Sequence, residues 1–207
     1  MIELDRTRLI GLLFFFSLQI IRMKKQLLLL LILLTTFAFV QKKDDARANI
    51  LMLKNGALFV RLKTSELKIS ALKKNGMAKE AEEVRVNQEN TNKMIVAAFK
   101  EKYSFSKVYF FYSNYSNQVK AGNYNGCLMN VNMEIDSSFT GPNYLIGEFD
   151  ESTTTQLDAF YIKDKNYVQL KRPFPFLVKQ NEMLVGTRSY EKIVVILNGN
   201  LNEFYGK

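Results

Sequence analysis

Hydrophobic positions form two uninterrupted runs at the start of the chain and periodic patterns after them. The runs are Leu9–Ile21 (LIGLLFFFSLQII) and Leu27–Val40 (LLLLLILLTTFAFV). Beyond them, Asn49–Lys54 and Ala57–Leu62 flank Asn55-Gly56. Asn-Gly between apolar stretches is the strongest short hairpin signal, so this part reads as two strands around a two-residue turn. Thr64 reads as the N-cap of a short helix with Glu66 in its first turn, facing the positive end of the helix dipole. Leu67, Ile69 and Leu72 give that helix an apolar side, and Gly76 supplies the left-handed residue that ends it. A second helix, from about Met77 to Lys102, completes a helical hairpin. Its stretch Lys79–Lys93 is almost wholly polar and reads as a solvated face, whereas Met94, Ile95, Ala98 and Phe99 make an apolar patch.

The second half reads mainly as strands. Ser106–Ser113 (SKVYFFYS) is rich in aromatic and β-branched residues and apolar on both faces, which predicts a central strand. Asn114–Gly126 is loaded with turn formers. Leu128–Asp136 alternates, with Met129, Val131, Met133 and Ile135 on one side, and predicts a half-exposed strand. Tyr144–Phe149 follows the Gly141-Pro142 turn as a strand. Leu157–Ile162 and Tyr167–Leu170 predict a hairpin around Lys163–Asn166, and the two prolines of Lys171–Phe176 break any central strand there. Ile193, Ile196, Leu197, Leu201 and Phe204 recur at helical spacing, predicting a helix over Tyr190–Tyr205. The fold class is therefore α+β: a mixed, mostly antiparallel sheet of about five to seven strands, with a helical hairpin and a C-terminal helix.

The unperiodic N-terminal runs bear on location. Met23-Lys24-Lys25-Gln26 reads as the basic start of a signal peptide, Leu27–Leu34 as its apolar centre and Thr35–Gln41 as its processing region. Thr36-Phe37-Ala38 places small residues one and three before a cut after Ala38; a cut after Val40 is the alternative. The run is short of the roughly 20 residues a membrane span needs. Joining it to Leu9–Ile21 would set Arg22, Lys24 and Lys25 near the bilayer centre, at roughly 2.5–3.5 kcal/mol per charge. Residues 1–22 then read as a non-native extension before a start at Met23, 23–40 as the signal peptide, and 41–207 as one globular domain. The rival reading keeps 27–40 as an uncleaved membrane anchor. No cysteine follows the run to carry a lipid. Export to the periplasm or cell envelope of a Gram-negative bacterium is the expected location.

The chain has 207 residues, with 29 Lys+Arg against 20 Asp+Glu. Residues 1–40 hold five basic and two acidic side chains, so the remainder is 24 minus 18, or +6. That balance, in an exported protein, points away from nucleic acid and toward an envelope protein, a glycan or an anionic surface as partner. Membrane contact is expected only through the N-terminal segment, if it stays uncleaved. Cys127 is the single cysteine, so no internal disulfide forms, and its apolar neighbours predict a buried thiol.

Candidate chemistry is sparse. There is no histidine, which removes Ser-His-Asp and Cys-His catalysis and imidazole metal ligation together. Ser-x-x-Lys occurs at Ser65/Lys68, Ser70/Lys73 and Ser104/Lys107, without the later Lys-Ser/Thr-Gly that serine–lysine hydrolases carry. Glu148, Asp150 and Glu151 cluster at a strand end, where carboxylates are usually solvated. The spacing Asp150, Ser152, Thr154, Asp158 resembles a calcium loop but lacks its glycine and its terminal Glu. No catalytic, cofactor or metal residues are assigned. Tyr109, Phe110, Phe111, Tyr112, Tyr115 and Tyr124 crowd one strand and its loop; of the aromatic and basic positions, Tyr112, Tyr115, Lys171, Arg172 and Phe174 form the candidate partner-binding surface.

Lys107–Ser113 (KVYFFYS), with the helix before it, and Gln169–Phe176 (QLKRPFPF) resemble segments of small exported proteins of Bacteroidota-type bacteria that have no assigned function. The resemblance covers most of Asn49–Phe176. It implies a signal peptide and a Gram-negative setting and brings no active site with it. The expected function is a non-catalytic envelope protein that binds or scaffolds a partner. The alternatives are a histidine-independent enzyme acting on envelope glycans through carboxylates, and a component tethered by an uncleaved N-terminal helix.

Overall fold

Six consecutive residues, Ala57–Leu62 (ALFVRL), form strand β1, and all but Arg61 are buried. A strand so apolar on both sides must be covered on both faces. It lies inside the sheet, with a strand paired on either side. The computed structural model describes residues 43–151, 157–182 and 186–206. The two apolar runs, with the expected extension and the expected signal peptide, lie outside these residues. No helix among the described residues is long and apolar enough to cross a membrane. The chain divides into Met1–Asp45 and Ala46–Lys207; of the first unit only residues 43–45 are described, as the opening turn of helix α1 (residues 43–55).

After β1 the order is α2 (Glu66–Lys74), α3 (Ala78–Lys102), β2 (Lys107–Tyr112), α4 (Ser116–Lys120), β3 (Tyr144–Glu151), β4 (Asp158–Lys163), β5 (Leu177–Lys179), β6 (Asn181–Glu182), β7 (Gly186–Thr187) and α5 (Tyr190–Tyr205). The main sheet runs β2-β1-β3-β4-β5, and β6 and β7 form a separate ribbon. Strands β2, β1 and β3 are parallel, while β3–β4, β4–β5 and β6–β7 are antiparallel. The α+β class and the mixed sheet of five strands are therefore as expected, with two of its four pairings parallel and two antiparallel.

Strand alternation sends two apolar sets to opposite faces. Leu58, Val60, Leu62, Phe110, Leu145 and Phe160 pack with Ile50 and Leu53 of α1, Ile95 and Phe99 of α3, and Ile193, Leu197 and Leu201 of α5. Ala57, Phe59, Tyr109, Phe111, Tyr144 and Ile146 pack on the other face with Val119, Cys127 and Leu128. Phe59 is the hub of that second face, stacked on Tyr144 at 4.5 Å and edge-on to Tyr109, Tyr124 and Phe139. The Cys127 thiol is buried, as expected, and burial raises its pKa.

Several local expectations are overturned. Asn49–Lys54 is helix, not strand: Ala46, Ile50 and Leu53 lie at i, i+4 and i+7 and are all buried. Asn55-Gly56 therefore ends a helix and does not turn a hairpin. The N-cap position of α2 is Ser65, not Thr64. Helix α2 has no buried residue, and Leu67 is 90% exposed, so its expected apolar side does not reach the core. Gly76 does take the left-handed conformation, at φ 75°. Strand β2 is an edge strand of the sheet; both its faces are covered, and Phe110 exchanges backbone hydrogen bonds with Met129 on its outer side at 2.9 and 2.8 Å.

Leu128–Asp136 is not a strand. It folds back on itself, pairing Met129 with Ile135, because the Asn130 Oδ1 accepts from the backbone N–H groups of Asn132 and Glu134. Tyr167–Leu170 likewise makes one pairing, Lys163 with Gln169, around a turn with Tyr167 at φ 65°. The sheet is continued instead by β5 beside β4. Helices α3 and α5 and strand β3 fall within a residue or two of their expected bounds.

Gly147 of β3 opens room for a ring. A Cβ there would stand 2.3 Å from Cζ of the buried Phe160, whose ring packs against Phe99 and Phe149. Gly147→Ala is expected to destabilise the domain by about 1–3 kcal/mol, read from the urea midpoint at unchanged m-value.

Candidate functional site

Arg61 is the one position of β1 that is not apolar and fully buried, and its strand neighbours explain where it goes. In the parallel register Arg61 lies beside Glu148 of β3. Strand alternation puts Arg61, Glu148 and Lys163 of β4 on the same face as Phe59 and Ile146. Glu148 is only 2% exposed. The Arg61 guanidinium donates to Glu148 Oε2 at 2.8 Å, and Lys163 Nζ donates to Oε1. Lys163 also lies 3.5 Å from Asp150 Oδ2, and Lys63 Nζ donates to Asp150 Oδ1 at 3.2 Å. Three cations and two carboxylates thus form one ladder at the carboxyl ends of β1 and β3.

Surrounding groups fix the ladder. Arg61 Nε donates to Ser116 Oγ at 2.8 Å, and its guanidinium stands 6.0 Å from the Tyr167 ring centre. The Tyr167 hydroxyl donates to the Ser116 carbonyl at 3.0 Å, and burial pushes its pKa up. Burial alone would raise the Asp150 carboxyl, but Lys63 and Lys163 outweigh it and hold the carboxyl below its ordinary 3.8. Ionised Asp150 therefore adds stability at neutral pH, and that contribution is lost as pH falls from about 3.8 through the depressed native value.

The ladder borders a crevice of about 260 Å³. The chain leaves β1 for β2 on one side and returns to β3 on the other, and the crevice outside the carboxyl ends of strands at such a reversal is where open parallel sheets take ligands. Arg61, Lys63 and Asp150 line it from the sheet, Gln88, Thr91 and Asn92 from α3, and Phe149 and Tyr190 from below. Asn92 is 3% exposed, with Nδ2 donating to the Lys63 carbonyl at 2.8 Å and Oδ1 accepting from Gln88 Nε2 at 3.2 Å. Gln88 in turn accepts from Ser65 Oγ at 2.7 Å. This polar string ties the middle of α3 to the end of β1.

The fold buries one residue of the sequence-derived surface. Phe174 is 1% exposed and packs on Phe204, so it belongs to the core and not to a binding surface. The turn it occupies tucks the ring inward beneath exposed Lys171 and Arg172. Tyr112 is half-buried at the end of β2, where burial and the Glu89 carboxylate raise its pKa; Tyr115 is 37% exposed just beyond it. Tyr112 ends β2 and Tyr115 follows it, while Lys171 and Arg172 precede β5.

Sequence reasoning missed Arg61, Lys63, Gln88, Asn92 and Lys163, and expected Glu148 in solvent. The signal was a lone arginine inside an otherwise apolar strand, which requires a carboxylate partner. Asn92 also gave one: it shares the stripe of Ile95, Val96 and Phe99. Of the serine–lysine pairs, Ser65 is turned to Gln88 and Ser104 Oγ accepts from Asn198. No group of histidine, cysteine and acidic residues suited to a metal occurs among the described residues. Comparisons with family models, with curated proteins and with solved structures find no match to this chain.

Proposed function

We propose that this chain is a non-catalytic exported protein of the cell envelope that binds a partner in the crevice at the carboxyl ends of β1 and β3. The observation that carries this reading is the occupation of the two ladder carboxylates. Glu148 is held between Arg61 and Lys163, and Asp150 between Lys63 and Lys163 with its pKa lowered. A glycan-cleaving enzyme needs one carboxyl kept protonated to serve as general acid. The cations around Asp150 favour its ionised form, which suits holding a partner in place. Export rests on the N-terminal sequence pattern.

The test is retention of envelope components by the tagged full chain in a Gram-negative host. The expected result is a component held by the native protein and lost with Thr91→Trp, which fills the crevice from α3 and leaves every ladder residue unsubstituted. Retention indifferent to Thr91→Trp overturns the crevice. Glycan hydrolysis abolished by Asp150→Asn overturns the non-catalytic reading, and an N-terminus at Met1 on the native protein replaces export with an uncleaved anchor.

A further inference from the structure

Resting on that crevice, we infer that its ligand is a single saccharide ring, with a free amino sugar preferred over a neutral sugar and an acidic sugar rejected. Three properties converge on this class. The first is size: about 260 Å³ lies just under the ~300–1,000 Å³ of ordinary small-molecule pockets, enough for one ring and too little for a nucleotide. The second is hydrogen-bonding type. Sugar hydroxyls both donate and accept, and so do the side-chain amides of Gln88 and Asn92, each of which retains donor and acceptor capacity after its internal bonds. Thr91 spends its hydroxyl proton on the Asn87 carbonyl at 2.9 Å and keeps its lone pairs for a donor. The third is an apolar wall: the Phe149 and Tyr190 rings meet edge to face at 4.9 Å and line the same space, suiting the C–H face of a pyranose.

Charge sets the preference within the class. Counted with the whole ladder, Glu148, Asp150, Glu151 and Asp158 stand against Arg61, Lys63 and Lys163, four carboxylates to three cations. An anionic ligand meets a surplus of negative charge there, while an ammonium group on the ring is attracted. Phosphates are disfavoured for the same reason. A peptide strand would need an open sheet edge, and the strands at the crevice, β1 and β3, are both paired on each side.

Ligand-detected NMR and calorimetry on the full chain in detergent, with glucosamine, glucose and glucuronate as probes, decide the matter. Glucosamine is expected to bind roughly tenfold more tightly than glucuronate, with glucose between them and the glucosamine advantage shrinking as salt rises. Thr91→Trp is expected to weaken glucosamine by at least about tenfold at unchanged melting temperature, and Thr91→Ser to leave it within about twofold. Equal binding of glucosamine and glucuronate overturns the inference, as does spermidine binding as well as glucosamine, which would reduce the site to an amine trap. No sugar binding while envelope retention still depends on Thr91 removes the saccharide and leaves the crevice standing. Loss of that dependence removes the crevice itself.

Discussion

Glu148→Ala is expected to destabilise the domain by about 3 kcal/mol, among the largest single effects in the molecule. The carboxylate is nearly inaccessible, and its removal leaves Arg61 and Lys163 facing each other across the place it occupied. Removing one partner of a buried pair typically costs about 3–5 kcal/mol, because the remaining charge is desolvated and unpaired. The lower end applies, since the Arg61 and Lys163 side chains keep 26% and 16% of their exposure and water can reach both. Lys163 also retains Asp150. Glu148→Gln, which keeps the shape and one acceptor but loses the charge, is expected to cost less than Glu148→Ala. Pairing Glu148→Met with Lys163→Met is expected to recover part of the loss, because well-packed apolar replacements avoid the desolvation penalty. Urea midpoints of the variants and the double-mutant coupling between positions 148 and 163 check this. A loss below about 0.5 kcal/mol for Glu148→Ala would mean that the ladder is held in bulk-like solvent and organises nothing.

What was legible in the sequence was whatever long periodic stretches dictate by themselves. Helix α5 and the second half of α3 carry apolar residues at helical spacing over many turns, and both bury the core-facing ones while Met94 and Val195 stay exposed. Strand β3 and the left-handed Gly76 are local in the same sense. Helix α1 was hidden because Ile50-Leu51-Met52-Leu53 is apolar without period. Its helical spacing emerges only when Ala46, in a charged stretch, is counted with Ile50 and Leu53. The interior place of β1 could not be read, because parallel neighbours come from residues around 107 and 144, and strand order is set by crossovers rather than by composition. The site was obscured for the same reason. Glu148 looks like a solvated strand end until Arg61, 87 residues earlier, is placed beside it. Asn92 looks like part of a solvated polar run until α3 is laid across the end of β1.

Gly56 separates the two ways of reading one dipeptide, and its substitutions are expected to show which governs stability. In a two-residue hairpin turn, glycine is needed because φ is positive, and asparagine substitutes there at modest cost. In the structure Gly56 has no positive φ. Its constraint is space: a Cβ would lie 2.0 Å from the Asn143 carbonyl oxygen, 2.8 Å from Asn143 C and 2.8 Å from the Met52 carbonyl oxygen. All three are backbone atoms, so no side-chain rotation relieves the clash. Asn143 also accepts from the Ala57 N–H at 3.2 Å, one residue before Ala57 and Tyr144 open the β1–β3 pairing. Relief therefore means pulling apart the start of the central strand pair. Gly56→Ala is expected to destabilise by about 3 kcal/mol, and Gly56→Asn by at least as much. Gly76 is the internal control, with φ 75° and nothing within 4 Å of a built Cβ. There the cost is conformational alone, roughly 1–2 kcal/mol for alanine and less for asparagine, which tolerates the left-handed region. Asparagine that rescues position 76 but not position 56, in paired denaturation curves, identifies close backbone approach as the reason for Gly56; rescue at both would restore the turn.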